Sequence, residues 1–170
     1  MKLRIASSLA PGVVALALLS SAAAADEAAD RSAAVAAATQ EAQHWLQAMD
    51  EQRYAQGWSE SAAVVREGRS EQEWVKEFGE PREALGKPVL RELKSADYST
   101  RVRGAPEGEY VTAVYLTKFA NIPVAATETL LLTHENGEWR IGGYNLTPAQ
   151  VEVPPPGPKP GTTLPVQPKS

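Results

Sequence analysis

Cysteine is absent from all 170 residues. That excludes disulfides, zinc–thiolate sites, thiol catalysis and a lipid-modified N-terminal cysteine, and leaves stability to an ordinary core. Histidine is nearly absent, with only His44 and His134, so a catalytic triad or a metal site has little to draw on. Serines are plentiful, yet none stands in Gly-x-Ser-x-Gly or Ser-x-x-Lys, and no glycine-rich phosphate loop occurs. A surplus of basic charge is missing too. The chain carries −4 overall, which makes nucleic acid a poor partner, and no polybasic cluster would hold it to an anionic membrane.

What is present begins with the first 25 residues. Lys2 and Arg4 form a basic head, Gly12 to Leu19 is an apolar run, and Ala23-Ala24-Ala25 before Asp26 has the form of a cleavage site. The run is too short for a membrane span, which needs about 20 residues. This combination predicts a cleavable signal peptide over residues 1–25 and export, as a soluble form, to a bacterial periplasm. Without Lys2 and Arg4 the mature chain is more acidic still.

From Ala33 to Asp50 the residues Val35, Ala38, Ala42, Trp45, Leu46 and Met49 recur at spacings of three and four, one helical stripe. Tyr54, Trp58, Ala62 and Val65 suggest a second helix, weakened by Gly57 and stopped by Gly68. Ser70 to Glu73 is a capping box opening a third helix with Trp74, Val75 and Phe78. Gly79 and Pro81 are expected to bend or restart that helix, and Gly86 with Pro88 to end it.

The period then changes. Strands are expected over Val89–Arg103, Tyr110–Phe119, Val124–His134 and Glu138–Leu146, with Asn136-Gly137 as a two-residue type I′ hairpin turn. That turn sets Glu135 opposite Glu138, His134 opposite Trp139, Leu132 opposite Ile141 and Leu130 opposite Gly143, unless Gly142-Gly143 forms a bulge. The inward face then carries Leu130, Leu132, Trp139 and Ile141, and extends back to Glu128. The expected fold is α+β, three N-terminal helices packed on a curved, cone-like four-stranded antiparallel sheet, in one domain over residues 26–146. Residues 147–170 hold eight prolines and read as a disordered tail, either a spacer or a polyproline II ligand.

Three residues stand out as a candidate site. Glu128 is the one acid placed on an inward sheet face: as a buried general acid or base with a raised pKa, as a ligand contact, or as a carboxylate at the sheet rim, solvated or paired with an Arg. Tyr54 and Trp58 are either core or the lining of a pocket between the first two helices and the sheet. His44 is expected at the surface and His134 stacked on Trp139; neither has a companion at metal-ligand spacing. No cofactor is called for.

Trp45-Leu46, Asp50, Arg53-Tyr54, Trp58, Trp74, Gly86 and Lys94 to Tyr98 carry a resemblance, together with Gly104-Ala105-Pro106-Glu107-Gly108-Glu109-Tyr110-Val111, Phe119-Ala120-Asn121, Glu128-Thr129 and Gly137 to Tyr144. Over roughly residues 40–146 the chain is similar to the bacterial exported domain-of-unknown-function 4019 family, which brings no activity with it. The closing Asn-Gly-x-Trp-x-Ile-x-x-Tyr hairpin also resembles the cone folds of the nuclear-transport-factor-2-like superfamily. Some members of that superfamily are isomerases or dehydratases and others only bind or dimerise. The resulting expectation is a non-catalytic module that binds a small ligand or assists another protein. The partner would be a small apolar molecule or an envelope protein, with no stable membrane anchor. A small lyase or isomerase using Glu128, and a structural protein docking through its sheet or proline-rich tail, are the alternatives.

Overall fold

The computed structural model describes residues 14–149, with side chains from Ala24 onward. The leader expected over residues 1–25 falls partly outside that range, as do all but the first three residues of the proline-rich segment. Four helices precede four strands: α1 (Val14–Asp50), α2 (Tyr54–Ser59), α3 (Ala63–Gly68), α4 (Glu71–Leu85), β1 (Pro88–Ser99), β2 (Tyr110–Phe119), β3 (Ala126–Glu135) and β4 (Glu138–Pro148). The strands form an open antiparallel sheet in the order β1-β2-β3-β4. The α+β class and the four antiparallel strands are as expected.

The stripe of α1 is the centre of the core. Ala38, Ala42, Trp45, Leu46 and Met49 are fully buried, and the helix touches all four strands. Before Ala34 every described side chain of α1 is exposed, and the helix runs without a break through Ala25–Asp26. The helix ends in a Schellman motif: Gln52 donates to the Met49 carbonyl, Arg53 donates to the Ala48 carbonyl, and Gln52 takes φ 61°. Glycine is the usual residue at that position, because an L side chain there crowds its own carbonyl.

The expected second helix is two helices, so four stand where three were expected. The chain extends at Ser61 and Ala62, where the Ala62 N–H donates to the Ile141 carbonyl at 2.9 Å. The edge of β4 thus takes backbone groups that a continuous helix would have kept. The Gly57 carbonyl accepts from Trp45 Nε1 at 2.8 Å and Ser61 Oγ at 2.7 Å. A Cβ at Gly57 would lie 2.9 Å from the Met49 sulfur, so glycine is what lets α2 approach α1.

The capping box of α4 is formed, with Ser70 and Glu73 exchanging side-chain and backbone bonds. Of the bend or restart expected at Gly79 and Pro81, the restart is not found: α4 runs unbroken from Glu71 to Leu85 with Pro81 inside it. A proline inside a helix costs about 3 kcal/mol, and the turn after it stays helical because the next residue, Arg82, is tied to three partners. Tertiary contact overrides local propensity here.

In the closing hairpin Asn136 and Gly137 both take positive φ, 54° and 82°. Glu135–Glu138, His134–Trp139 and Leu132–Ile141 pair as expected, but Leu130 faces Tyr144, because a bulge falls between Leu131 and Leu132. The extra residue sits on β4, so the alternation of β3 is undisturbed and Glu128, Leu130 and Leu132 share the inward face, all fully buried. Trp139 is partly buried against the core. The strand continues to Pro148, with Thr147 opposite Thr127 and Pro148 opposite Ala126; the folded part runs two residues beyond the expected boundary.

Gln52→Gly is expected to stabilise the fold by about 1 kcal/mol, read as a raised urea midpoint at unchanged slope. A destabilised variant would contradict the reading of this helix end.

Candidate functional site: a closed ring of buried charges

Four charged side chains meet where the end of α1, the last turn of α4 and the inward faces of β1 and β3 converge. Asp50 closes α1, Arg82 follows Pro81 on α4, Arg91 lies on β1 and Glu128 on β3. Arg82 bridges the acids, donating from Nη1 to Glu128 Oε2 at 2.8 Å and from Nη2 to Asp50 Oδ1. Arg91 bridges them from the other side, donating from Nε to Glu128 Oε1 at 2.9 Å and from Nη1 to Asp50 Oδ2 at 2.6 Å. The charges alternate around a closed ring and cancel. Glu128 and Arg82 are almost wholly removed from water, their side chains 0% and 5% exposed, while Asp50 and Arg91 sit nearer the surface at 16% and 17%.

Two hydroxyls complete the ring from neighbouring strands. Thr117 of β2 accepts from Arg91 Nε and donates to Glu128 Oε1. Tyr144 of β4 accepts from Arg82 Nη1 and donates to Glu128 Oε2 at 2.8 Å. Glu128 therefore accepts four hydrogen bonds, two on each oxygen, which fills the acceptor capacity of a carboxylate. The Arg82 guanidinium also lies 5.4 Å from the centroid of the Phe119 ring and 5.6 Å from that of Tyr144.

Burial pushes the Glu128 carboxyl up, but the two guanidiniums and the hydrogen bonds from Thr117 and Arg82 outweigh it, and the group is held below its ordinary value. Burial would lower the pKa of both arginines, and their acidic partners raise them instead. Burial also raises the Tyr144 phenol, the more so beside Glu128. Glu128, Arg82 and Arg91 are thus each held in the charged form, and Tyr144 in the neutral form, that the ring requires. A raised pKa at Glu128 was one expectation from sequence; the structure reverses its direction, because two arginines rather than apolar side chains surround the group. The rim position in the plain alternative is also corrected, since Glu128 is at the centre of the fold, though its pairing with arginine is found.

Tyr54 and Trp58 diverge from the same short helix. Tyr54 is buried, and it borders a surface cleft of about 590 Å³ that is also lined by Asp50, Arg82 and Lys87. Trp58 is half-buried and donates from Nε1 to the Arg69 carbonyl at 3.1 Å, away from that cleft. The space between α1, α2 and the sheet, where a pocket was expected, holds Trp45, Leu46, Met49, Leu130 and Ile141, all packed into one core. Glu128 touches neither Tyr54 nor Trp58 by hydrogen bond; it and Tyr54 are related only through the neighbourhood of Arg82.

Asp50, Arg82, Arg91, Thr117 and Tyr144 were not singled out as site residues from sequence. Thr117 carried a usable signal, a polar residue at an inward position in step with Val111, Ala113 and Tyr115 on β2. Arg82 carried none. His44 is exposed on α1, 3.5 Å from Glu60. His134 stacks on Trp139 at 5.0 Å and holds Glu109 at 2.7 Å through Nδ1. Among the described residues no three potential ligands are grouped to hold a metal ion.

Residues 41–144 match the family of proteins of unknown function DUF4019, and the chain belongs to that family. The matched span takes in every member of the ring, from Asp50 to Tyr144. No curated protein matches the chain.

Replacing Glu128 by Gln leaves Arg82 and Arg91 sharing Asp50 alone in a buried site, a change that costs about 3–5 kcal/mol. Urea unfolding is expected to show that loss, and a variant within about 0.5 kcal/mol of the parent would contradict the ring. A second expectation concerns acid. A carboxyl whose folded pKa lies below the unfolded value of about 4.5 gives stability that is fully present above that value and is lost as pH falls through the folded one. The urea midpoint is expected to fall below about pH 4.5, and less steeply in the Glu128→Gln variant. Equal slopes would contradict it.

Proposed function

We propose that this protein is an exported, non-catalytic accessory module that presents surfaces to a partner protein of the bacterial envelope rather than enclosing a reaction chamber. One observation carries the reading: the inward-facing acid is saturated. Glu128 accepts four hydrogen bonds and is fully buried, so it has neither a free lone pair nor a path to a substrate proton. That speaks against the lyase or isomerase alternative, as does the core of Trp45, Leu46, Met49, Leu130 and Ile141 that fills the space between the helices and the sheet among the described residues. The basic head, apolar run and alanine cleavage site of residues 1–25 support export to the periplasm, with the mature chain starting at Asp26. Among the described residues no helix is long and apolar enough to cross a membrane. Helices on one face of a four-stranded antiparallel sheet, closed by an Asn-Gly hairpin, support the nuclear-transport-factor-2-like reading of the fold.

One feature favours a second reading, a small ligand held at the surface: the open cleft beside Tyr54, Asp50 and Arg82. Native mass spectrometry of the protein, gently purified from a periplasmic extract, separates the readings. The expected result is a chain beginning at Asp26, part of it in a discrete complex with another protein. An added mass of a few hundred daltons without a protein partner would give precedence to the surface ligand, and a chain retaining Met1 would contradict export.

A further inference from the structure

Two helices end at the cleft beside Tyr54. Asp50 closes α1 on one side, and on the other the last turn of α4 carries Glu83, with Lys87 just beyond its end. That second wall is fixed in place. Asn121 donates its backbone N–H to the Leu85 carbonyl at 3.0 Å, and Ala120 donates to the Lys87 carbonyl at 2.9 Å. Gly86 turns the chain between them at φ 73°, where a Cβ would lie 2.8 Å from the Asn121 side chain. Two buried polar groups border the cleft without a partner, the Tyr54 hydroxyl and Arg82 Nε. Both residues are 6% exposed, and a buried donor left unpaired is costly. Burial pushes the Tyr54 phenol up, Glu83 pushes it further and Arg82 draws it back, so the three groups stand within one another's field. Of the other charges on the cleft, Asp50 is spent on the ring and Glu51 on Arg53 at 2.8 Å. Glu83 and Lys87 are exposed and make no ion pair or side-chain hydrogen bond among the described residues. The cleft thus offers one uncommitted anion, one uncommitted cation and two buried donors.

We propose that this cleft binds a free α-amino acid by its two charged ends. The inference rests on the surface-ligand reading of the cleft and names the class of that ligand. A carboxylate brings only acceptors and an ammonium only donors. The carboxylate accepts from the Tyr54 hydroxyl and Arg82 Nε, which have no acceptor within the protein, and stands near the Lys87 ammonium. The ammonium goes to Glu83. A plain anion would also meet the carboxylates of Glu51 and Glu83 and the carbonyl ends of α1 and α4, whose dipoles disfavour it. A plain cation would stand beside Lys87 and leave Arg82 Nε unpaired. A zwitterion answers both signs. An α-amino acid carries its two charges on one carbon, which suits a site where Glu83 and Arg82 both act on a single hydroxyl.

Amide shifts of the isotope-labelled protein test this with four probes: L-alanine, propionate, which lacks the ammonium, ethylamine, which lacks the carboxylate, and trialanine, which holds the two ends apart. L-alanine is expected to shift the amides of Gln52, Tyr54, Glu83, Gly86 and Lys87 saturably, with a dissociation constant at or below about 10 mM. The other three are expected to bind at least about tenfold more weakly. Tyr54→Phe is expected to lose at least about tenfold in L-alanine affinity while its urea midpoint holds or rises, since the change removes a buried hydroxyl that has no partner. Unchanged affinity in that variant would overturn the proposal. Glu83→Gln, at an exposed position, is expected to weaken L-alanine and leave propionate no weaker; equal losses for both would overturn the role of Glu83. Propionate or ethylamine binding as tightly as L-alanine would overturn the zwitterion while leaving a surface ligand standing, and trialanine doing so would assign the cleft to a peptide. If none of the four moves these amides, the proposal and the surface-ligand reading fall together.

Discussion

Two acids and two arginines withdrawn from water at one point are expensive to keep, and the rest of the architecture is arranged to keep them. A buried ion pair is repaid only when its geometry is close and its remaining donors and acceptors are filled. The ring meets both conditions at Glu128, where two guanidiniums and two hydroxyls converge. Its members come from α1, α4 and all four strands, so the ring closes only when each helix lies in its final place on the sheet. The continuation of α4 past Pro81 and the placement of the end of α1 both follow from it, since Arg82 must reach Glu128 and Asp50, and Asp50 must reach Arg82 and Arg91. The apolar stripe of α1 supplies the burial, and the ring sets where along the sheet that burial happens.

Function looks different once the ring is drawn. A lone carboxylate in an apolar cavity would be a poised base; the same carboxylate between Arg82 and Arg91 is a fixed anion with no capacity left. On the proposed reading Glu128 carries no chemistry, and what the described residues offer is exterior: a cleft beside Tyr54 and a sheet face that carries no helix. This arrangement supports the accessory module proposed above, which holds its shape and is read by another protein.

Much of the fold was legible in the residues because short-range rules governed it. The stripe from Val35 to Met49, the capping box at Ser70 and the turn at Asn136-Gly137 each act over a few positions, and each is found. The bulge near Gly142 displaced only the pairing of Leu130, since one extra residue on β4 leaves β3 alone. Failures came where distant contacts outvoted local preference. The chain leaves the helix at Ser61 and Ala62, where β4 takes the Ala62 N–H, and α4 passes through Pro81 because Arg82 is anchored 46 positions away at Glu128. The ring itself was half legible: period-two alternation places Glu128 inward, but nothing in the chain says which arginines, 37 and 46 positions away, will answer it.

The most direct test of the account is a double-mutant cycle across the ring, with Arg82→Met, Glu128→Gln and the two together, each measured by urea unfolding. Because either single change strands a buried charge that the other would relieve, the double variant is predicted to lose at least about 1 kcal/mol less than the two single losses combined. Losses that simply add would mean that Arg82 and Glu128 are stabilised independently, and the claim that a closed ring organises this fold would fail.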